Sequence, residues 1–302
     1  MTDVSDPTGT PSGAPPEDRH IVVVGVGVAG FSAADALLNR GGRVTVLDSA
    51  DGPLQVDRGT LLEMLGADVR LGAPPELPLG DVLVVSTGIP LTSPWILQAR
   101  ERGMEIWGEF ELAWRLRPVR NPAPWLYVTG TNGKTTTTLM LAAMLSAAGL
   151  RTTAVGNIGV SLIDAVVAEQ PYDVLAVELG AQHLSFVTSV SPEAAACLNV
   201  APDHLDYFGD FDEYVRVKGT AFDRTQVACI YNTADPVTEQ MVRDADVVEG
   251  ARAVGFTLGV PAPGMLGVVD GVLVDRAFVP NRASHAQELA TVADVAPQAP
   301  HQ

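Results

Sequence analysis

The chain has 302 residues and a net charge of -17, so its length allows two domains of ordinary size. The acidic balance excludes a general nucleic-acid-binding surface, because phosphate backbones require stripes of Lys and Arg, whereas a small anionic ligand can still bind backbone N–H groups. Two cysteines, Cys197 and Cys229, are too few for a disulfide framework. No apolar run reaches the ~18 residues of a membrane span, and we expect a cytoplasmic protein.

Strands alternate with helices in the first part of the chain, after a polar opening rich in Pro and Gly. Residues 1–18 are predicted to be a disordered extension, because they lack the apolar residues of a core. The alternation that follows predicts an α/β fold, with a Rossmann-like parallel sheet over residues 19–119. The predicted strands are 21–24, 44–47, 69–71, 81–86 and 105–107, and the predicted helices are 31–40, 58–65 and 95–102.

A second α/β domain follows the Pro-rich linker at 118–124 and is predicted to cover residues 120–302. It opens with a strand at 125–129, a glycine-rich turn and a helix at 134–148, the order of a P-loop-type ATPase domain. Asp270-Gly271 predicts a hairpin turn, and residues 287–302 show no pattern of a closing helix. The other predicted elements are strands at 153–155, 174–179, 194–200, 227–231 and 254–257 and a helix at 211–222.

The turn between the strand at 125–129 and its helix has the composition of a phosphate-binding loop. Its sequence is Gly130-Thr131-Asn132-Gly133-Lys134-Thr135-Thr136. Glycines let the backbone approach a phosphate, the N–H groups of the helix start face it, and Lys134 reaches the β- and γ-phosphates. The Thr135 hydroxyl is a candidate Mg²⁺ ligand. Because Val128 stands where the strict motif has its first glycine, an ordinary glycine-rich turn is the alternative; the lysine favours an ATP site.

A second glycine-rich turn, Gly25-Val26-Gly27-Val28-Ala29-Gly30, follows the first strand and opens a helix. With Asp48 at the end of the next strand, it matches the fingerprint of dinucleotide-binding turns. Ser86, Thr87 and Gly88 end another strand at the same edge of the sheet, where ligands bind in such folds. The isolated match is weak, and a turn that binds another ligand or none is an equal alternative. Two nucleotide-type sites in consecutive domains indicate two different ligands.

Three further residues are candidates for chemistry at the phosphate loop. Glu178 ends an apolar strand, which places a carboxylate suited to Mg²⁺ at the active edge of the sheet. His204 follows another strand, where a structural histidine in a tight turn is an equal alternative. Lys218 lies on the helix predicted at 211–222. The 19 basic residues include only two lysines, Lys134 and Lys218, and because arginine cannot act as a neutral amine, this scarcity favours a function over a solvated surface lysine.

Taken together, these residues resemble the Mur ligases. The resemblance spans residues 21–301, and within the family the first-domain turn, Asp48 and Ser86–Gly88 are similar to the branch that adds D-glutamate. It implies an ATP-dependent ligase of peptidoglycan-precursor synthesis. ATP would phosphorylate the carboxylate of UDP-N-acetylmuramoyl-L-alanine, and the amine of D-glutamate would then displace phosphate to form an amide. The motifs that carry the resemblance are Gly130–Thr136, Asn157-Ile-Gly159, Glu178, Asn199-Val-Ala-Pro-Asp-His-Leu-Asp206, Lys218 and Asn232.

The resemblance also implies a role for each site residue, in a monomer that binds two substrates, UDP-N-acetylmuramoyl-L-alanine and D-glutamate, and no membrane or nucleic acid. One Mg²⁺ would be held by Thr135 and Glu178, and a second by His204 and a carbamylated Lys218. Lys134, Lys218 and His204 would be catalytic. The expected ATP contacts are Gly130, Thr131, Asn132, Gly133, Lys134, Thr135, Thr136 and Asn232. The expected substrate contacts are Gly27, Val28, Asp48, Ser49, Ser86, Thr87, Gly88, Asn157 and His183.

Two departures from the family pattern leave alternatives open. Mur ligases have three domains, whereas this chain is expected to stop within the middle one. The family segment Glu-Leu-Ser-Ser-x-Gln-Leu is Glu178-Leu-Gly-Ala-Gln-His-Leu184 here. The alternatives are a non-catalytic protein that binds UDP-sugar or ATP, and another ligase of the superfamily such as a folylpolyglutamate synthase. The glycine-rich first domain argues against the latter, since those enzymes begin with the ATPase domain.

Overall fold

The computed structural model describes residues 16–72 and 76–295, which form two compact units. The first unit contains the chain up to Ala123 together with Val155–Asp173 and Gln182–Val190. The second contains Pro124–Ala154, Val174–Ala181 and the chain from Ser191 onward. Most of the predicted disordered extension, residues 1–15, lies outside the described residues. Its last three residues, 16–18, form a 3-10 turn closed by the Arg19 N–H on the Pro16 carbonyl, so disorder is wrong there.

The first unit is built on a five-stranded parallel sheet in the order β3-β2-β1-β4-β5. From Ile21 onward in β1 and throughout β4, the central strands are continuous apolar runs of buried residues, as expected when both faces of a parallel sheet are covered. The predicted Rossmann-like sheet is confirmed. Because β1 and β4 are neighbours, the segments that follow them meet at the point where the strand order reverses. The strands are β1 (His20–Val24), β2 (Arg43–Leu47), β3 (Asp68–Arg70), β4 (Val82–Val85) and β5 (Glu105–Gly108).

Helices of the first unit begin earlier than predicted. Pro53 occupies the first turn of α2, where its missing N–H costs nothing, so this helix starts five residues before the predicted Arg58. α4 was not predicted, because the two glutamates in its first turn break the apolar pattern of a helix that is almost entirely buried. The helices of this part of the chain are α1 (Val28–Leu38), α2 (Pro53–Met64), α3 (Pro94–Glu101) and α4 (Glu109–Leu116).

The two glutamates of α4 hold the two later segments that complete the first unit. Glu109 Oε1 accepts a hydrogen bond from Ser161 Oγ at 3.1 Å, in the segment Val155–Asp173. Glu111 Oε2 accepts the N–H groups of Thr188 and Ser189, each at 2.8 Å, in the segment Gln182–Val190. Burial raises the pKa of Glu109. Burial also acts to raise the pKa of Glu111, but the hydrogen bonds from Ser189 and Thr188 outweigh it and lower that pKa.

The second unit carries most of a nine-stranded sheet in the order β14-β13-β12-β11-β10-β9-β6-β8-β7. The pairs from β8 through β6, β9, β10 and β11 to β12 are parallel, and β13 and β14 add two antiparallel strands at one edge. The strands are β6 (Trp125–Thr129), β7 (Thr152–Gly156), β8 (Val174–Glu178), β9 (Ala194–Cys197), β10 (Ala228–Asn232), β11 (Arg252–Phe256), β12 (Met265–Val269), β13 (Val272–Asp275) and β14 (Gln287–Thr291).

Helices of the second half agree with the prediction at the phosphate loop and differ at the end of the chain. The hairpin at Asp270-Gly271 is confirmed, with φ of 48° and 78° at its two turn residues. The absence of a closing helix is wrong for residues 292–295, which form a short one after β14. The helices are α5 (Lys134–Ala147), α6 (Leu162–Val166), α7 (Ala181–Leu184), α8 (Leu205–Phe208), α9 (Phe211–Gly219), α10 (Pro236–Asp244) and α11 (Val292–Val295).

Two general expectations can be compared with the structure. Cys197 and Cys229 are both buried free thiols on adjacent strands, as their apolar surroundings predicted. Within residues 16–72 and 76–295, none of the helices combines the length and the apolar character that a bilayer crossing requires.

Gly30→Ala is expected to destabilise the first unit strongly, whereas Gly27→Ala is expected to leave its stability near that of the wild type. A Cβ at Gly30 would overlap the Gly25 carbonyl oxygen and come within 2.6 Å of Ser86 Oγ, and overpacking against backbone costs at least about 2 kcal/mol. At Gly27, φ is -61° and a Cβ meets no atom of the described residues within 4 Å. Thermal unfolding measures both variants, and equal midpoints would contradict the packing at Gly30.

Candidate functional site

The phosphate loop lies between the end of β6 and the start of α5, as predicted. Gly133 precedes the helix with φ of 82°, a left-handed conformation that favours glycine, and Gly130 opens the loop with φ of 152°. The helix begins at Lys134, so the N–H groups of its first turn have no partner within the helix and point outward with the positive end of the dipole. This arrangement is suited to binding a phosphate group.

Thr135 and Glu178 lie together at the mouth of the loop. Val128 of β6 pairs with Glu178 of β8, and this register brings the carboxylate beside the first turn of α5. The Thr135 hydroxyl donates a hydrogen bond of 2.8 Å to Glu178 Oε2. A hydroxyl and a carboxylate next to a phosphate site are the hard oxygen donors that Mg²⁺ takes. The structure therefore brings together the two residues predicted for one metal.

Both lysines donate to carbonyl groups of the loop. Lys134 Nζ lies 3.0 Å from the Thr131 carbonyl oxygen, and Lys218 Nζ lies 3.2 Å from the Gly130 carbonyl oxygen. Lys218 is only 1% exposed, and its ammonium group stands 4.9 Å from the centre of the Tyr214 ring. The lysine predicted from its scarcity is thus a buried group beside the loop and not a solvated residue of α9.

The buried position of Lys218 makes its amine easier to deprotonate. Burial lowers the pKa of Lys218 to about 8, and the positive charge of Lys134 acts in the same direction. The negative charge of Asp203 opposes this shift. A lysine with this pKa is a neutral amine in a substantial fraction of molecules at mildly alkaline pH.

His204 is exposed, unlike Glu178 and Lys218. It stands before α8 with φ of 51°, and its side chain is 49% exposed, with Nε2 at 3.5 Å from Asp203 Oδ2. Asp203 is close enough to Lys218 for its charge to raise that pKa, so the Asp-His segment and Lys218 share a neighbourhood. In the described part of the chain, no group of three His, Cys, Asp or Glu residues could hold a metal ion. The two predicted metal sites therefore depend on donors outside that set, namely Thr135 and a modified Lys218.

Asn199 is a loop contact that the sequence analysis did not single out within its motif. Its Oδ1 accepts the N–H groups of Thr131 at 3.1 Å and Asn132 at 2.9 Å, and its Nδ2 donates to the Asn132 carbonyl at 3.0 Å. Thr131 also makes contacts through its hydroxyl, which accepts the Ala201 N–H and lies 3.0 Å from the Tyr214 hydroxyl. The backbone N–H groups of Thr131 and Asn132, which were predicted to contact ATP, thus donate to Asn199 in this structure.

Asn232, predicted to lie near adenine, is tied into the turn after β10. Its Nδ2 donates to the Leu198 carbonyl at 3.0 Å, and its Oδ1 accepts the Ala234 N–H at 2.9 Å. Leu198 is the residue before Asn199, so the side chain of Asn232 supports the segment that contacts the loop. Its contact with a nucleotide base stays a prediction.

In the first unit, the glycine-rich turn after β1 is held by Asp48. Asp48 Oδ2 accepts the Val26 N–H and Oδ1 accepts the Ala50 N–H, each at 2.9 Å. Arg58 of α2 donates to the Val26 carbonyl at 2.8 Å. The carboxylate predicted for a nucleotide therefore also fixes the turn, and Gly27 lies at the start of α1, with Val28 as its first residue.

The residues after β4 lie beside this turn, as the strand order requires. Ser86 Oγ donates to the Gly25 carbonyl at 3.4 Å, while Thr87 and Gly88 are exposed. A cavity of about 440 Å³ next to them includes Ser49. The rest of its lining was not predicted from the sequence, because it comes from the loop between β4 and α3 and from the start of α3 and has no motif; these residues are Ile89, Pro90, Thr92, Ser93, Pro94 and Trp95.

Two further predicted substrate contacts belong to the first unit. Asn157 is exposed in the loop between β7 and α6. His183 is 8% exposed, and its ring packs against Phe110 of α4 with ring centres 4.6 Å apart. The structure therefore gives His183 a packing role, and substrate contact by either residue stays a prediction.

A Rossmann-like unit with a glycine-rich turn, combined with a unit that presents a P-loop-type turn, two lysines and a hydroxyl–carboxylate pair, is typical of α/β proteins of the P-loop type. Residues 19–108 match the family model of the MurD-like N-terminal domain of Mur ligases, and residues 128–259 match that of the Mur ligase middle domain. The chain therefore belongs to the Mur ligases, as the sequence motifs predicted.

Relatives with a stated function are similar over most of this chain. Proteins from Streptomyces coelicolor and Streptomyces avermitilis, each named UDP-N-acetylmuramoylalanine–D-glutamate ligase, are 54% identical over 94% of this chain. A protein of the same name from Thermobifida fusca is 46% identical over 94% of it. The chain spans 61% of the length of these three relatives.

A solved structure supports the fold. The UDP-N-acetylmuramate:L-alanyl-gamma-D-glutamyl-meso-diaminopimelate ligase from Neisseria meningitides aligns with a TM-score of 0.50 and 20% identity, covering 90% of this chain and 84% of its own. At this identity the likeness concerns the fold alone.

Lys218→Met is expected to be more stable than the wild type near neutral pH, and the difference is expected to shrink as the pH rises from about 8 to 10.5. The pKa of Lys218 is about 8 in the folded chain, against an ordinary value of 10.5. Between these values the unfolded state binds more protons, so the free energy of unfolding of the wild type rises with pH, by a total on the order of 3 kcal/mol.

Urea unfolding of both proteins across this pH range measures the difference. Comparing the two proteins at each pH largely removes the contribution of Cys197 and Tyr214, whose raised pKa values act in the opposite direction in both. A difference that stays constant with pH would show that Lys218 is not a buried amine of lowered pKa.

Proposed function

We propose that this chain acts as an ATP-dependent ligase that joins D-glutamate to UDP-N-acetylmuramoyl-L-alanine in peptidoglycan-precursor synthesis. The observation that carries the proposal is the phosphate loop of a Mur ligase middle domain with Thr135, Glu178 and two lysines around it. The relatives at 54% identity bear the name of that activity.

The reaction that these residues would serve has two steps. A carboxylate oxygen of UDP-N-acetylmuramoyl-L-alanine attacks the γ-phosphorus of ATP, and ADP leaves, which forms an acyl phosphate. The amine of D-glutamate then attacks the acyl carbon, loses a proton, and phosphate leaves as the amide forms. Both steps bring anions together, so the residues must mainly hold phosphate groups in place and offset negative charge.

Lys134 would bind the phosphates of ATP. In the structure its ammonium group rests on the Thr131 carbonyl, a neutral acceptor that a phosphate oxygen can replace with a stronger, charge-assisted bond. Thr135 and Glu178 would hold Mg²⁺, which supplies a positive charge between the phosphates. Their oxygens already lie 2.8 Å apart beside the loop, and this donor set fits the ion.

Lys218 would contribute as a carbamate. A neutral amine adds to CO₂ and releases a proton, and the lowered pKa of Lys218 makes the neutral form accessible. The product carries an anionic oxygen donor, which an arginine could not provide. His204 follows Asp203 in the sequence, and its ring is partly exposed. The carbamate and His204 would together hold a second Mg²⁺.

The first unit would bind the UDP part of the substrate. The start of α1 at Gly27 offers open space and backbone N–H groups for a diphosphate. The cavity that includes Ser49 adjoins the same edge of the sheet. Asn157 would help to position the substrate, and Asn232 would lie near adenine. Two buried free thiols are compatible with a reducing compartment, and we propose a cytoplasmic monomer.

Phosphate release is expected when the chain receives UDP-N-acetylmuramoyl-L-alanine, Mg-ATP and D-glutamate together. Lys134→Met is expected to abolish release and to raise the Kd of ATP at least about tenfold, because a charge-assisted bond is worth roughly 1.5–3 kcal/mol. Arg216→Met, which removes an exposed positive charge paired with Glu213 on α9, serves as the control and is expected to match the wild type.

Other outcomes of this assay would select another function. Binding of ATP and the UDP-sugar without phosphate release would support a non-catalytic binding protein. Release with a folate substrate alone would support another ligase of the superfamily. An unchanged ATP affinity in Lys134→Met would overturn the assignment of the phosphate loop itself.

Carbamate formation at Lys218 is expected to be visible without any turnover. In ¹³C-bicarbonate near the pKa of this lysine, the wild type is expected to show a carbamate carbon signal by ¹³C NMR. The signal of the Lys218 carbamate should be lost in Lys218→Met and persist in Lys134→Met, since Lys134 is the other lysine of the chain; any carbamate of the α-amino group is common to all three proteins. An identical spectrum of the wild type and Lys218→Met would refute this modification.

A further inference from the structure

The side chain of Asn199 makes hydrogen bonds to the backbone of Thr131 and Asn132, in the first half of the phosphate loop. One oxygen accepts two consecutive N–H groups, from Thr131 and Asn132, and the amide nitrogen donates to the Asn132 carbonyl. The main chain of Asn199 adds a further contact, because its carbonyl accepts the Thr131 N–H at 3.0 Å. A single residue thus contacts three consecutive peptide groups, from Gly130–Thr131 to Asn132–Gly133.

This contact divides the loop into two halves with different tasks. The N–H groups of Thr131 and Asn132 point to Asn199 and cannot bind a phosphate without giving up those bonds. The N–H groups from Gly133 through Thr136 belong to the start of α5, where no helical carbonyl can take them. The phosphate cradle therefore starts at Gly133, and the preceding half is its support.

The backbone around Gly130 shows that the loop is shaped to fit the segment that carries Asn199. A Cβ at Gly130 would lie 3.1 Å from Leu198 Cβ and 3.4 Å from the Asn199 nitrogen, at a φ of 152°. A Cβ at Gly133 would lie 3.5 Å from Leu198 Cδ1. The two glycines let the loop lie directly on Leu198 and Asn199, which brings the amide of Asn199 within reach of the peptide groups between them.

The segment of Asn199 is itself held from the other side. Asn232 Nδ2 donates to the Leu198 carbonyl at 3.0 Å, and Asp235 Oδ2 accepts the Val200 N–H at 2.7 Å. Asp235 is also the N-cap of α10, and its side chain accepts the Val237 N–H. The peptide groups on both sides of Asn199 are thereby fixed, so its side chain has a rigid base.

We propose that Asn199 is a positioning residue for nucleotide binding, which holds the phosphate loop in its binding conformation before the nucleotide arrives. The proposal rests on the proposed ATP-binding function. Asparagine suits the task because its amide both accepts and donates. Aspartate can accept the two N–H groups but cannot donate to the Asn132 carbonyl and adds a negative charge beside the phosphate site; alanine can do neither. If the loop without this support spends a tenth of its time in the binding conformation, the apparent Kd rises about tenfold.

Amide hydrogen exchange of the nucleotide-free chain, followed by NMR on ¹⁵N-labelled protein, tests the support directly. In Asn199→Ala the Asn132 amide is expected to exchange faster than in the wild type, because its acceptor is lost, whereas the Thr131 amide keeps its bond to the main-chain carbonyl of residue 199. In Asn199→Asp both amides are expected to stay protected, because the side-chain acceptor is retained. Asn39→Ala, the same substitution at an exposed helix end of the first unit, is the matched control. Equal exchange in Asn199→Ala and the wild type would overturn the proposal.

The affinity for Mg-ADP, measured by calorimetry on the same proteins, tests the consequence for binding. Asn199→Ala is expected to bind at least about tenfold more weakly while its thermal midpoint stays near that of Asn39→Ala. Faster loop exchange with an unchanged affinity would also overturn the positioning role. If the wild type bound no nucleotide, the proposed function and with it the positioning role would fail, whereas a wild type that binds and an Asn199→Ala variant that binds equally well would contradict this inference alone.

Discussion

The second unit depends on how the backbone groups of its phosphate loop are satisfied without a ligand. A glycine-rich loop has few side chains of its own to pair with its peptide groups, and buried peptide groups without partners are costly. Here the carbonyls of Gly130 and Thr131 accept hydrogen bonds from Lys218 and Lys134, respectively. The side chain of Asn199 accepts two N–H groups of the loop and donates to one of its carbonyls. The loop is therefore held in place by the protein itself, so the proposed nucleotide would not have to organise it on binding.

The strand order explains why residues distant in the sequence meet at this loop. β6 lies between β8 and β9 in the sheet, so the carboxyl ends of three parallel strands are adjacent. Glu178 ends β8, and Asn199 follows β9 by two residues. Crossover connections between parallel strands place those ends at one edge whatever the separation along the chain.

Much of this arrangement could be predicted from the sequence, and the reasons are specific. The continuous apolar runs of β1, β4 and β8 predicted buried parallel strands, and the spacing of Gly130, Gly133 and Lys134 predicted the phosphate loop. The scarcity of lysine indicated Lys218, but its burial depends on packing against Tyr214 that no local pattern reveals. Asn199 escaped notice as an individual contact because an asparagine after a strand is common, and only the register of β6 with β9 places it under the loop.

Several features of the first unit could not be predicted from the sequence. α4 and its two glutamates were missed because buried carboxylates contradict the usual pattern of an amphipathic helix. Their partners lie more than 50 residues away, at Ser161 and Ser189. The lining of the cavity beside Ser49 comes from an irregular loop and the start of α3, where proline and threonine indicate a turn but no ligand.

The carboxylates of α4 have a consequence for any attempt to dissect the protein. The sequence suggests a clean division after residue 119, yet Glu109 and Glu111 find their hydrogen-bond donors in Val155–Asp173 and Gln182–Val190. A fragment ending at residue 119 would retain both acids and lose every one of those donors. Glu111 would keep only its ion pair with Arg115 of the same helix, and Glu109 would have to be exposed to water or stay neutral within an apolar interior. The linker alone suggests that the chain can be cut there, but the first unit acquires all its hydrogen-bond donors only when the chain extends to Val190.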